Sequence, residues 1–151
     1  MRRVSIASAA VVAALGGLAL VVTTGSADSS MPAGLHLVSK EQKSVGFGPN
    51  HKPRQGETVG FGDAVSGDDS GTDRGICTVI GTGRNQAICT VVVRLSKGTI
   101  TALGTVNFTG PGKNVPFAIT GGTGAYDGAS GTALVTDANA STTDLNISFH
   151  S

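Results

Sequence analysis

The chain has 151 residues, of which 39% are hydrophobic and 14% charged, with a formal net charge of +1. It carries no basic run and no large excess of either sign, so it lacks the electrostatic footprint of a nucleic-acid binder. With 4% aromatic residues and no tryptophan, it offers few stacking platforms for bases or sugar rings.

At the N-terminus Arg2 and Arg3 precede an apolar run from Ile6 to Val22, and Gly25, Ser26 and Ala27 supply small residues for cleavage before Asp28. This layout predicts a secretory signal peptide over 1–27. A retained membrane anchor is the alternative, but the run of 17 residues is shorter than the roughly 20 of a helical span. Val4-Ser5-Ile6 lacks the aromatic residue usual after a twin-arginine pair. The leader's richness in alanine and valine suits an exported bacterial protein, with a secreted product and no membrane contact after cleavage. Eleven Lys and Arg, less Arg2 and Arg3, leave nine against ten Asp and Glu, so the mature charge is close to −1.

Residues 28–34 read as a flexible leader and 35–151 as a single domain with one core. Strands are predicted over Leu35–Val38, Glu57–Val65, Ile76–Ile80, Ala87–Leu95, Thr99–Phe108, Val115–Thr120, Thr132–Asp137 and Asp144–His150. Turn signals such as Ser96-Lys97-Gly98 and Gly110-Pro111-Gly112 separate them, and residues 39–56 read as a polar connection. No 3.6-residue apolar period follows the signal peptide. Eight short strands therefore predict an all-β fold, an eight-stranded antiparallel β-barrel whose closure removes exposed edges.

Cys77 and Cys89 lie in two β-rich runs separated by Gly81-Thr-Gly-Arg-Asn85. In a hairpin centred on Gly83 both are six residues from the centre and face one another across the pair. In an oxidising compartment this predicts a disulfide. No CxxC or paired histidine accompanies them, so no metal is expected, and no cofactor. His36 and His51 stand alone and receive no role. In the last strand Leu145, Ile147 and Phe149 share one face, a half-buried pattern. In the Cys89 strand Ile88 and Val92 make the second face partly apolar too, so it meets either another copy or a terminal segment.

The segment from Phe117 to Leu134 holds five glycines between Gly121 and Gly131. It contains neither GxxxxGK[ST] nor GxGxxG, and the β-prone stretch after it offers no helix N-terminus to a phosphate. These glycines read as bends and bulges in a curved sheet.

The same segment, Phe117-Ala-Ile-Thr-Gly-Gly-Thr-Gly-Ala-Tyr-Asp-Gly-Ala-Ser-Gly131, resembles a signature of the allene oxide cyclase and dirigent barrel superfamily. Phe61-Gly-Asp-Ala-Val65, Arg74-Gly-Ile-Cys-Thr-Val-Ile80 and Gly98-Thr-Ile-Thr-Ala-Leu-Gly104 resemble other motifs of that family in the same order. The resemblance runs from about Gly56 to the C-terminus. It implies an eight-stranded barrel with an apolar cavity, often a homotrimer, that takes a small apolar molecule. The cyclases of the family close a fatty-acid epoxide, whereas dirigents steer phenoxy-radical coupling.

The family's cyclase glutamate falls on Val38 or Ser39 here, and Glu41 replaces it only after a register shift. Asp63 is the candidate catalytic group: inside an apolar barrel it would act as general acid or base, while at a strand end it would cap backbone N–H groups. Tyr126, Asp127 and Arg94 are pocket or corner candidates. Asp127 also reads as a turn residue satisfying local N–H groups, and Arg94 as a surface residue with its stem on apolar neighbours. Three functions stay open: a cyclase or isomerase, a dirigent-like guide without chemistry of its own, and a non-catalytic binding or structural barrel.

Overall fold

The computed structural model describes residues 31–45, 54–81, 86–107, 114–139 and 141–150. The expected signal peptide and His51 lie outside these residues. Eight strands follow in chain order: β1 (Gly34–Val45), β2 (Thr58–Gly67), β3 (Gly71–Gly81), β4 (Gln86–Leu95), β5 (Gly98–Asn107), β6 (Val115–Gly124), β7 (Gly131–Asn139) and β8 (Thr142–Phe149). Each is antiparallel to its sequence neighbours, and β1 also pairs with β8, so the sheet closes into an eight-stranded barrel. No helix occurs among the described residues.

Two strands extend well beyond the expected limits. β1 runs to Val45 instead of stopping at Val38: Ser39 and Lys40 pair with both β2 and β8, and Lys43, Ser44 and Val45 continue along β2. β3 begins at Gly71 rather than Ile76, since Asp73, Arg74 and Gly75 are paired with both β2 and β4. Cross-strand ladders, on both sides except at the far end of β1, satisfy these backbones, and that outweighs the weak strand preference of Gly, Asp and Lys. At the other boundary, β1 already includes Gly34, and Met31 packs partly buried against the core.

Inward residues alternate with outward ones along each strand. In β8, Leu145 and Ile147 are buried while Asn146 and Ser148 are exposed. One end of the barrel has short connections and is packed solid. There Leu37, Ile100 and Tyr126 are almost wholly buried, beside Leu95, Ala129 and Ile147. Tyr126 comes from the glycine corner between β6 and β7. The corner contains a β-bulge, because Thr101 pairs with Gly121 but Ala102 pairs with Ile119, leaving Thr120 without an opposite residue. Gly122 lets backbones meet: a Cβ there would lie 2.2 Å from the Tyr126 carbonyl oxygen. Gly124 adopts φ 66°, the left-handed region that favours glycine.

On the outside, Ile76, Ile80, Ile88, Leu103 and Leu134 are exposed. Ile76 shares a row across the sheet with Leu103 and Ala118, through the pairs Ile76–Thr90, Thr90–Leu103 and Leu103–Ala118.

Candidate functional site

Inside the barrel lies a cavity of about 500 Å³. Its wall is mainly apolar, with Phe61, Val91, Val93, Ile100, Phe117 and Leu145 among the lining residues. It reaches the end of the barrel opposite Tyr126, where Asn107, Asp137, Ser141 and Thr142 line it. Two glycines make room for the two rings. A Cβ on Gly75 would stand 2.2 Å from Phe61 Cζ, and one on Gly104 would stand 2.7 Å from Phe117 Cδ1.

One polar cluster interrupts the apolar wall. Asp63 of β2 and Asp73 of β3 are direct cross-strand partners, and both point into the cavity. Ser39 of β1 lies over the pair, its Oγ 3.1 Å from Asp63 Oδ2 and 2.9 Å from Asp73 Oδ2. Ser39 and Asp73 are each 3% exposed. Both second oxygens, Asp63 Oδ1 and Asp73 Oδ1, are buried without a hydrogen-bond partner.

The geometry accounts for the electrostatics. Burial pushes the Asp73 carboxyl up to about 6; the hydroxyl of Ser39 opposes that rise, and the neighbouring charge of Asp63 adds to it. A serine hydroxyl has one proton to donate. With Asp73 protonated, Ser39 can accept from Asp73 and donate to Asp63, so the contacts suit a pair holding one proton. Such a pair is an acid and a base side by side in an apolar setting.

Other sequence candidates are distributed around this cluster. Glu41 lines the cavity at the lip beyond Ser39 and is otherwise exposed, next to a β-bulge between Glu41 and Lys43. Val38 alternates away from the interior, so of the two positions assigned to the family glutamate only Ser39 faces the cavity. Cys77 and Cys89 are register partners, form a disulfide, and present it to the cavity wall.

Arg94 is not a pocket residue. It is exposed on the outer face of β4, because its neighbours Val93 and Leu95 take the inward positions. Asp127 is exposed in the corner, where its N–H donates to the Gly124 carbonyl.

Tyr126 is buried but lies away from the cavity. Its hydroxyl donates to Asp69 Oδ2 at 2.9 Å, and its ring stacks on Phe149 with centroids 6.0 Å apart. Asp69 also accepts from the backbone N–H groups of Ser70, Ser96 and Lys97 and from the Ser96 hydroxyl. Burial alone would raise the Asp69 carboxyl, but the donors of Ser96, Ser70, Tyr126 and Lys97 together hold it down at about 2. Burial first, and then the hydrogen bond to Asp69 and its charge, pushes the Tyr126 phenol up to about 12. This pair is a plug that ties three connections together, not a reactive site.

Sequence reasoning singled out Asp63 and missed Asp73 and Asp69. A signal for Asp73 was present. A hairpin centred on Asp68 faces position 63 with position 73, five residues on either side, and Asp73 shares the inward parity of Cys77. Among the described residues no group of three or more His, Cys, Asp and Glu side chains could hold a metal ion.

No curated protein matches the sequence. Among solved structures, a pyocyanin demethylase superposes with a TM-score of 0.66 at 22% identity, over 78% of this chain and 99% of that one. That likeness is one of fold. The sequence profile of the allene oxide cyclase barrel like domain matches residues 39–149, which contain the Asp63–Asp73 pair and the glycine corner, and the chain belongs to that family.

Proposed function

We propose that the protein is an exported isomerase or cyclase that holds a small apolar substrate inside the barrel and moves a proton with Asp63 and Asp73. The observation that carries this reading is the buried acid pair bridged by Ser39, with one unpartnered oxygen of each acid, on an otherwise apolar cavity wall. A purely structural barrel gains nothing from two acids there, since each buried acceptor without a donor costs stability.

In the reaction, the ionised member of the pair takes a proton from the substrate, and the resulting acid returns it at another atom. Atoms and charge then balance within the substrate. Orientation in a water-poor cavity contributes the rest. That a protein of this fold is a pyocyanin demethylase supports an enzymatic role for such a barrel. The disulfide supports an oxidising location. The outer apolar row through Ile76 and Leu103, with Ile88 and Leu134 nearby, supports assembly as a homotrimer.

The test is turnover in D2O with three substrates: an epoxy fatty acid, a phenol with an oxidant, and an apolar enolisable ketone. An active protein yields stereochemically biased product or solvent deuterium at carbon, and Asp63→Asn or Asp73→Asn lowers the rate by about 100-fold or more. Selective coupling of the phenol that survives both substitutions would favour the dirigent-like role. Binding without turnover or selectivity in any of the three would leave a binding barrel and refute the proposal.

A further inference from the structure

We infer that the cavity selects an apolar molecule carrying one cationic nitrogen, seated against Asp63 and Asp73, over a neutral or anionic molecule of the same shape. This rests on the reading above that the cavity takes a ligand, and it names the class.

The acid pair has no counter-charge among the described residues that line the cavity. Asp73 is 97% buried by its 3% exposure, and its Oδ1, like that of Asp63, is buried without a donor in a residue that lines the cavity. No Lys, Arg or His is among the described residues that line the cavity. The charged groups that line the cavity with Asp73 are Asp63 of β2, Glu41 of β1 and Asp137 of β7, all acids, while β4 and β8 contribute Val93 and Leu145 to the wall. An anion would therefore meet charge of its own sign in an apolar setting, where repulsion is poorly screened. A neutral hydroxyl would satisfy one orphan oxygen and leave the charge uncompensated. An ammonium has three N–H donors and supplies both needs at once. The remainder of the wall, with Phe61, Val91, Ile100, Phe117 and Leu145, suits the apolar body of such a molecule.

The experiment is calorimetric titration of the purified protein with octylamine, octan-1-ol and octanoate, three probes of one length and different charge. At about pH 7.5 the amine is expected to bind about 10-fold or more tighter than the alcohol, and octanoate more weakly than either. In the double variant Asp63→Asn, Asp73→Asn the preference for the amine falls to about 3-fold or less. Where that variant does not fold, the wild-type pH series decides. The amine stays cationic throughout, so its preference over the alcohol must grow from about pH 5 to about pH 7.5 as Asp73, held at about 6, gives up its proton. Equal binding of amine and alcohol overturns this inference and leaves the ligand-cavity reading standing. Tightest binding of octanoate, a preference surviving in the double variant, or a flat pH series overturns it as well. No binding of any probe overturns both.

Discussion

Two aspartates in one small barrel are driven in opposite directions, and the difference is a matter of donors. Asp69 has at least one N–H or O–H for each oxygen, whereas Asp73 has one shared hydroxyl and a like-charged neighbour. The sign of each contribution to stability follows. Asp69 is lowered, so its stabilisation is present above its unfolded value of 3.8 and is lost as pH falls toward about 2. Asp73 is raised, so the folded state binds the proton more tightly, and stability falls as pH rises from 3.8 through about 6. These two groups together place maximum stability near about pH 4, measurable by thermal melts across pH. Asp73→Asn is expected to stabilise the fold at neutral pH by about 1–3 kcal/mol, while abolishing most proton transfer. A variant that lost both stability and activity would mean Asp73 is a structural residue. Asp69→Ala leaves buried N–H groups and the Tyr126 hydroxyl without an acceptor and costs about 2–4 kcal/mol, read by urea denaturation.

At the scale of elements, hairpin register builds the site. The β2–β3 register places Asp63 opposite Asp73, and the β3–β4 register places Cys77 opposite Cys89. One β3 face thus carries an acid, a glycine and a disulfide cysteine in succession. Gly75, between the other two, is what admits the Phe61 ring. Gly75→Ala forces that ring toward the cavity, with an expected cost of about 1–3 kcal/mol and weaker binding of apolar ligands. Unchanged melting and unchanged binding would show that the ring has room to retreat. The β6–β7 corner works differently: its glycines bring backbone close to backbone, and Tyr126 is carried with it into the closed end.

For the molecule as a whole, closure creates an inside and leaves an outer face that is still partly apolar. Sedimentation velocity at micromolar concentration is expected to give a trimer mass, with Leu103→Lys and Ile88→Lys together shifting it to the monomer; a wild-type monomer would remove the homotrimer from the proposal. The sequence by itself determined the barrel: strand spacing, the glycine corner and the cysteine hairpin are local signals, carried by residues within a dozen positions of each other. It also brought out Asp63 and the apolar second face of β4. It misjudged the reach of β1 and β3, because polar residues there are held by cross-strand ladders rather than by their own preference. It separated Tyr126 from Asp69 and Ser39 from Asp73, contacts that span 57 and 34 residues. Only the tertiary structure decided which acids are satisfied and which keep a buried oxygen without a donor. That distinction depends on how many donors converge on a carboxylate from strands far apart in the chain, and local sequence does not encode it.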